Sequence, residues 1–366
     1  MGKFSMKIFV PFALMLFLFT ACAEKTEIEP YKFGGTLQLT GPQAVYGVFS
    51  RIGIDLAIED INKAGGINGR PVKVIYEDNA GDKQKAATAA QKLINVDNVD
   101  ALISITPFMG AVIAPIAEES KVPFIHISSV DSYAINKTYV FKDYPDVSKI
   151  CELLMRQAVK DGHTKVAQFA INAESTQFCR KGVESVGELT ADEVYTQGEV
   201  DYSTQLTKIK NSGSTALILY TLVDDCTNAY KYLRELNLNT QLYLAIYRFT
   251  CGSDANTKAN ADQLQNAYGS DLAIDEEAPD YISFKKRVDE LGGSPNLVAS
   301  AMMYDITRVM ANAFQGCDEV SCVTDNLRNT NSYAGPSGQV SFNGKQISER
   351  EAMLVKYENG KFVKAE

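Results

Sequence analysis

The hydrophobic pattern is clearest between residues 33 and 79, where a strand, a long loop, a helix and a second strand follow one another. Apolar residues recur at the spacing of one helix face from residue 48 to residue 63 and predict a helix there. Gly65 and Gly66 end this helix, because a left-handed cap requires a residue without Cβ. Residues 72–76 alternate apolar and polar side chains, as a strand does. The pattern predicts a βαβ unit and therefore a parallel sheet.

The alternation of strands and helices continues in two blocks of similar size, joined near residues 142–147. Strands are predicted at residues 101–105, 124–127, 166–170, 193–196, 216–220 and 242–246. Helices are predicted at residues 83–96, 112–120, 177–190, 203–211, 226–236, 281–291 and 299–314. The last two helices lack the strands needed for a third domain, and residues 352–358 and 361–364 are predicted to form a hairpin. We therefore expect two α/β lobes.

The beginning of the chain has the pattern of a secretory signal. Lys3 and Lys7 precede an apolar run over residues 8–19, which is too short to span a membrane. Small residues and Cys22 follow, as in a bacterial lipobox, although Phe19 stands where an aliphatic residue is usual. We expect residues 1–21 to be the signal peptide, Cys22 to carry lipid and residues 22–30 to be a tether; a plain signal peptide is the alternative.

The charge and cysteine content agree with an exported protein. A net charge of −9 and the lack of a basic run argue against nucleic acid as a partner. Six cysteines follow Cys22, and an even number in an exported chain predicts disulfides. Cys317 and Cys322 bracket a short polar loop, and Cys226 and Cys251 follow strands expected to be close in the sheet. We predict these two pairs, and no metal site, because the chain has no CxxC motif.

The sequence contains no recognised catalytic or phosphate-binding motif. It lacks GxSxG, HExxH, GxxxxGK[ST], and a GxGxxG after a strand, so no cofactor is predicted. A catalytic triad would need His126 or His163, the only histidines. We interpret His126 as a residue near a strand end and His163 as an exposed loop residue.

Three segments in order, LTGPQAVYG, INKAGGINGRPV and YEDNAGD, resemble the periplasmic binding proteins for branched-chain amino acids and amides. The resemblance covers nearly the whole mature chain, including YAGPSGQVSFNGKQ at residues 333–346. It implies a two-lobed type I periplasmic binding protein, each lobe a parallel sheet flanked by helices, with three hinge crossings near Asp143, Ala273 and Phe342. Lobe 1 would contain residues 31–142 and 274–341, and lobe 2 residues 143–273 and 342–366.

The resemblance also implies the ligand site, in the loops after the strands, where open α/β sheets bind ligands. The candidates from lobe 1 are Tyr46, Gly47, Phe108, Met109, Gly110, Ser128 and Ser129. The candidates from lobe 2 are Phe178, Leu222, Val223 and Asp224. In the family an aromatic residue packs on the ligand at the position of Tyr46, and hydroxyls and backbone N–H groups at the turn of residues 106–110 hold the ligand carboxylate. Ser128 and Ser129 match a family position that contributes hydroxyl and N–H donors. Phe108, Met109 and Gly110 replace the usual serines, which leaves backbone donors there.

The acidic residue that usually pairs with a ligand ammonium is missing near Arg248. Asp224 or Asp225 could replace it, but acidic residues at this position also cap a helix N-terminus. Arg248 itself is expected to be a solvated loop residue or part of an ion pair between the lobes. We therefore expect organic acids as well as amino acids among the ligands.

The signal pattern predicts an extracytoplasmic, lipid-anchored protein, and the resemblance implies that it captures a small polar organic ligand and delivers it to an ABC permease. Two other functions stay open from the sequence. A sensor of the same fold would signal to a partner, and an enzyme would convert the ligand.

Overall fold

The structure is a computed structural model that describes residues 1–3, 29–251 and 254–365, with only the backbone described at residues 223, 224 and 254–256. Cys22 and nearly all of the predicted signal peptide and tether lie outside the described residues. In the described part of the chain, no helix combines the length and apolar character that crossing a membrane requires.

The first sheet is parallel and has the strand order β2-β1-β3-β4-β5. Its strands are β1 (Tyr31–Leu37), β2 (Val72–Asp78), β3 (Ala101–Ile105), β4 (Phe124–Ile127) and β5 (Val140–Asp143). Every residue of β3, β4 and β5 is buried, because helices cover both faces of this sheet. This sheet forms the centre of lobe 1.

The second sheet forms the centre of lobe 2. Its first five strands along the chain are β6 (Val166–Ile171), β7 (Leu189–Tyr195), β8 (Ala216–Tyr220), β9 (Gln241–Ala245) and β10 (Tyr268–Leu272). A separate ribbon follows, made of β11 (Tyr333–Gly335) and β12 (Gly338–Val340). The chain then returns to the second sheet with β13 (Ala352–Glu358) and β14 (Lys361–Lys364), an antiparallel hairpin paired to β10. The strand order is β14-β13-β10-β9-β8-β6-β7.

Helices connect and cover the strands of both sheets. They are α1 (Ala44–Lys63), α2 (Lys83–Asn95), α3 (Pro107–Ser120), α4 (Val147–Lys160), α5 (Glu174–Glu184), α6 (Ser203–Asn211), α7 (Val223–Glu235), α8 (Asp254–Ala259), α9 (Pro279–Glu290), α10 (Leu297–Phe314) and α11 (Val320–Arg328). Helix α10 is buried along most of its length and packs against α1. A Cβ at Gly53 of α1 would overlap the Ser300 carbonyl oxygen, so the two helices approach closely there.

The chain passes between the two sheets after β5, after β10 and between β12 and β13. At the third passage the Ser348 amide still donates to the Lys142 carbonyl of β5 (2.9 Å). The chain therefore leaves the first sheet several residues beyond Phe342, which itself packs on Phe141. The residue-level boundaries of the two lobes stay a prediction.

Three disulfides are present among the described residues. Two are the predicted pairs, Cys226–Cys251 and Cys317–Cys322. The third, Cys151–Cys179, joins α4 to α5 on lobe 2 and was not predicted from the sequence. It connects two helices whose packing against each other the sequence pattern did not indicate.

Candidate functional site

A cavity of about 60 Å³ lies between the two lobes, at the carboxyl ends of the strands. Its lobe 1 side is lined by Gln43, Tyr46, Ile105, Thr106, Pro107, Phe108, Ile127, Ser128 and Ser129, together with Tyr144 from the first passage between the lobes. Its lobe 2 side is lined by Ile171, Tyr220, Thr221, Leu222, Ile246, Phe249 and Thr250. Both sheets therefore contribute the edge at which α/β proteins bind ligands.

The structure brings five of the predicted ligand-binding residues to this cavity: Tyr46, Phe108, Ser128, Ser129 and Leu222. Four others, Gly47, Met109, Gly110 and Phe178, do not line it. The side chains of Val223 and Asp224 are outside the described part of the structure.

Close packing explains the positions of the four predicted residues that lie elsewhere. A Cβ at Gly47 would overlap the carbonyl oxygen of Gln38, so this glycine allows α1 to approach the end of β1. Met109 is buried in the core beneath α3, and Gly110 lies against the ring of His126. Phe178 is partly buried and packs against a hydrophobic cluster formed by residues of both lobes, with the Lys181 amine 5.2 Å from its ring centre. We interpret these four as residues that shape the fold around the cavity.

The donors on lobe 1 lie at two strand ends. Thr106 precedes α3, with Pro107 at the first helical position, and its hydroxyl accepts a hydrogen bond from the Gln38 amide (3.2 Å). The N–H groups that begin a helix have no acceptor within that helix, so this turn offers backbone donors to a ligand. Ser128 and Ser129 follow β4 and are almost completely buried. Hydroxyl and N–H donors thus converge on one side of the cavity.

Tyrosine residues connect the lobes around the cavity. The Tyr46 hydroxyl donates to the Phe249 carbonyl of lobe 2 (3.2 Å). The Tyr133 hydroxyl donates to the Glu174 carboxylate at the start of α5 (2.9 Å). Burial raises the pKa of Tyr220, and the nearby hydroxyls of Ser175 and Ser129 oppose that shift. The lobes therefore contact each other through polar groups at the rim and inside the cavity.

The described side chains that line the cavity are all uncharged. Arg248 is turned toward the second passage between the lobes, where it donates to the Leu272 carbonyl (3.1 Å) and the Glu276 carboxylate (3.0 Å). Its carbonyl accepts from the Asn296 amide of lobe 1 (3.0 Å), so Arg248 belongs to a contact between the lobes. Asp225 accepts from the Tyr195 hydroxyl (2.8 Å).

Asp271 lies behind the cavity wall at the end of β10. Its carboxylate accepts from the hydroxyl of Tyr144, which lines the cavity, and from the Arg248 amide (2.9 Å). Complete burial raises the pKa of Asp271, although Arg248 and the Tyr144 hydroxyl favour its charged form. Among the described residues, no group of His, Cys, Asp and Glu side chains could hold a metal ion.

Three cavity residues that are not glycine have positive φ angles: Thr106 (78°), Tyr144 (152°) and Ile246 (51°). Such conformations are rare for L-residues, and for a β-branched side chain they are true outliers. They persist only where the surrounding structure over-determines them, and they cluster at functional sites. Their presence on three different connections around one cavity supports its assignment as the functional site.

Sequence reasoning did not find several cavity residues, notably Tyr144, Tyr220, Phe249 and Thr250. Tyr220 is the last residue of β8, and it was assigned to the strand and not to the loop that follows. Phe249 and Thr250 follow Arg248, at the position where the family resemblance implies an acidic residue and gives no role to an aromatic ring or a hydroxyl. Tyr144 follows β5, a strand that the sequence analysis did not predict.

Comparison with known proteins agrees with the fold. The family model "Periplasmic binding protein" matches residues 30–361. A leucine-, isoleucine-, valine-, threonine- and alanine-binding protein from Pseudomonas aeruginosa is 46% identical over 57 residues, covering 16% of this chain and 15% of the relative. Leu/Ile/Val-binding protein homolog 3 from Brucella melitensis is 25% identical over 197 residues, covering 48% of this chain and 50% of the relative. The matches span half or less of these relatives' own length.

Solved structures show the same fold at low sequence identity. The substrate-binding protein of a branched-chain amino acid transporter from Streptococcus pneumoniae, in complex with isoleucine, has a TM-score of 0.82 and 22% identity, covering 92% of this chain and 100% of the neighbour. A solute-binding protein of an ABC transporter from R. palustris, in complex with benzoate, has a TM-score of 0.80 and 17% identity, covering 92% and 95%. This chain belongs to the periplasmic binding protein family, in the type that includes the Leu/Ile/Val-binding proteins.

Proposed function

We propose that this protein is an extracytoplasmic solute-binding protein that captures a small carboxylate with an apolar body, an amino acid or an aromatic acid, in the cavity between its lobes. The observation that carries this proposal is the lining: hydroxyl and backbone donors on one side, rings and aliphatic side chains around them, and no charge on any described side chain. Such a site satisfies a carboxylate with hydrogen bonds and covers the rest of the ligand with apolar surface.

The donors decide which end of the ligand is held. A buried carboxylate without hydrogen-bond partners costs several kcal/mol, and Thr106, Ser128 and Ser129 would provide those partners. Isoleucine and benzoate, the ligands in the two solved structures, both have a carboxylate on an apolar body. An amino acid would also need a partner for its ammonium, and Asp224 or Asp225 is our proposed partner in that case.

A thermal-shift panel tests the ligand class. The panel contains isoleucine, 3-methylpentanoate, which lacks the amino group, 2-methylbutylamine, which lacks the carboxylate, and benzoate. A ligand at a hundred times its Kd stabilises the fold by about 2.7 kcal/mol, which is readily measured. We expect the acids to stabilise the protein and the amine to have no effect. Equal stabilisation by the amine would contradict the carboxylate proposal.

Ser129→Ala tests the donors directly. It removes one hydroxyl from the lobe 1 side. We expect the affinity for the stabilising acid to fall at least tenfold, because a hydrogen bond to a charged group contributes about 1.5–3 kcal/mol. Ser321→Ala, on α11 away from the cavity, is the control and should leave the affinity unchanged.

The proposed capture step includes movement of the lobes. A cavity of about 60 Å³ is small beside the roughly 300–1,000 Å³ of typical ligand sites, so the walls must separate to admit a solute. We propose that the protein opens and closes around its ligand by hinge motion between the lobes. Small-angle scattering should show a smaller radius of gyration at saturating ligand; an unchanged radius would argue against closure.

We further propose that Cys22 carries lipid and that an ABC permease receives the ligand. The signal-like sequence supports the lipid anchor, and family membership supports the permease as partner. Cys22→Ser should release the protein from the membrane fraction into the soluble fraction. Unchanged fractionation, with a mature N-terminus elsewhere, would contradict the lipid anchor.

A further inference from the structure

The lobe 2 side of the cavity is built from two segments that are separate in sequence. One begins at the end of β8 with Thr221 and Leu222, and the other follows β9 from Ile246 to Thr250. Each segment leads directly to a cysteine, since Cys226 lies in the first turns of α7 and Cys251 follows Thr250. The disulfide between these cysteines, with a Cα–Cα distance of 5.3 Å, therefore ties the two segments together.

The disulfide packs against the cavity wall itself. The hydroxyl oxygen of Thr221 lies 2.7 Å from the Cys226 sulfur and 3.2 Å from the Cys251 sulfur. Thr221 and both cysteines are completely buried, so little free space separates the sulfurs from the wall. A change at the disulfide would be transmitted to a residue that faces the ligand.

The segment that follows β9 also contains a residue in a strained backbone conformation, which neighbouring contacts must hold. Ile246 is β-branched and has a φ of 51°, in the left-handed region. A residue in this conformation relaxes unless surrounding contacts hold it. The covalent bond at Cys251 is positioned to supply that restraint, five residues further along the same short connection.

We propose that the Cys226–Cys251 disulfide is a positioning element for ligand binding. It holds the two cavity-lining segments of lobe 2, residues 221–222 and 246–250, in their ligand-binding conformation. This inference rests on the proposed function, since it concerns the same cavity. The other two disulfides are placed differently: Cys151–Cys179 joins α4 and α5, and Cys317–Cys322 closes the short turn between α10 and α11. None of these four cysteines lines the cavity, and none directly follows a residue that does.

Hydrogen–deuterium exchange on the ligand-free protein tests the positioning role. The variant pair is Cys226→Ala with Cys251→Ala, and the matched control is Cys317→Ala with Cys322→Ala. We expect amides in residues 221–226 and 246–251 to exchange at least tenfold faster in the first variant and at the wild-type rate in the control. Strands β8 and β9 should keep their protection in both variants, which separates a local effect from unfolding. If the alanine pair does not fold, a serine pair, which keeps a polar contact for Thr221, replaces it.

Titration with isoleucine and benzoate then measures the consequence for binding. For a probe that binds the wild-type protein, we expect Kd to rise about tenfold in the Cys226/Cys251 variant and to stay unchanged in the control. Unchanged exchange in the two wall segments, or unchanged affinity despite faster exchange, would overturn the proposal. If the wild-type protein binds neither probe, the proposed ligand class fails, and the exchange comparison alone decides the positioning role.

Discussion

Replacing Arg350 with Met should destabilise the protein strongly, because Arg350 neutralises a buried carboxylate between the lobes. Its Nε and Nη2 atoms donate to the two oxygens of Asp143, at 2.9 and 3.0 Å. The side chains of Arg350 and Asp143 are 3% and 0% exposed. Arg350 lies on the third passage of the chain between the lobes and Asp143 at the start of the first, so this pair fastens two crossings together.

The guanidinium of Arg350 also acts on a second buried carboxylate, that of Asp305, through Ser337. Arg350 also donates to the carbonyl and the hydroxyl of Ser337, at 2.8 and 2.9 Å. Ser337 in turn donates its amide to Asp305 (2.7 Å). Burial raises the pKa of Asp305 to about 7, and the Ser337 hydrogen bonds and the charge of Arg350 limit that rise. Without Arg350, the pKa of Asp305 should rise further.

Removing one partner of a buried ion pair typically costs about 3–5 kcal/mol, because the other charge is left desolvated and unpaired. We therefore expect Arg350→Met to lower the free energy of unfolding by about 3–5 kcal/mol at neutral pH. Methionine retains most of the apolar stem, which limits the change in packing.

Urea unfolding followed by circular dichroism measures this loss. Arg156→Met is the matched control, since two nitrogens of Arg156 donate to one oxygen of Glu152 on the surface of α4 and the Arg156 side chain is 59% exposed. Exposed pairs contribute little, so the control should change stability by about 0.5 kcal/mol or less. Equal losses in the two variants would refute the argument that burial makes the Arg350 pair important.

Three further outcomes are expected. Tyr133→Phe removes the hydrogen bond to Glu174 across the cleft, so ligand affinity should fall between two- and tenfold. The control Tyr139→Phe should not change the affinity, and equal affinities of Tyr133→Phe and wild type in a ligand titration would contradict this expectation. Burial lowers the pKa of His126 to about 3 from its ordinary value near 6.5, so below pH 6.5 the unfolded chain binds a proton that the folded chain excludes. As pH falls from 6 to 4, the free energy of unfolding of the wild type, measured with urea, should therefore fall by roughly 1 kcal/mol per pH unit more than that of His126→Leu. Equal pH dependence of the two proteins would exclude this effect. Gly47→Ala should cost about 1–3 kcal/mol by overpacking, measured by thermal unfolding, and an unchanged Tm would show that α1 can shift.

The sequence predicted strands best where apolar side chains run without interruption. β3, β4 and β8 were predicted to the residue, because strands buried on both faces consist of short apolar runs. β5 and β10 were missed because Lys142, Asp143 and Asp271 interrupt their apolar character. These charges are buried because distant partners satisfy them, such as Arg350 for Asp143, and no local pattern reveals such partners.

Helix ends determined which site residues were predicted correctly. The sequence treated residues 106–110 as a loop, whereas α3 begins at Pro107, a residue favoured at the first helical position. Because α3 begins at Pro107, Met109 and Gly110 lie on its buried side and Phe108 lies at the cavity. Similarly, the helix predicted at residues 177–190 is α5, which ends at Glu184, since Leu189 and Thr190 belong to β7 beside β6.

The packing of α10 against α1 has a consequence for the order in which the lobes can form. As the chain emerges from its N-terminus, α1 appears more than two hundred residues before the helix that covers it. The Ser300 hydroxyl of α10 donates to the Phe49 carbonyl of α1 (2.8 Å), a contact that α1 cannot make until late in synthesis. The central strands of lobe 2, β6 to β10, form one continuous stretch and need no such wait. The central part of lobe 2 should therefore pack before lobe 1 is complete, while the apolar face of α1 depends on a chaperone or on transient contacts to avoid aggregation until α10 is available.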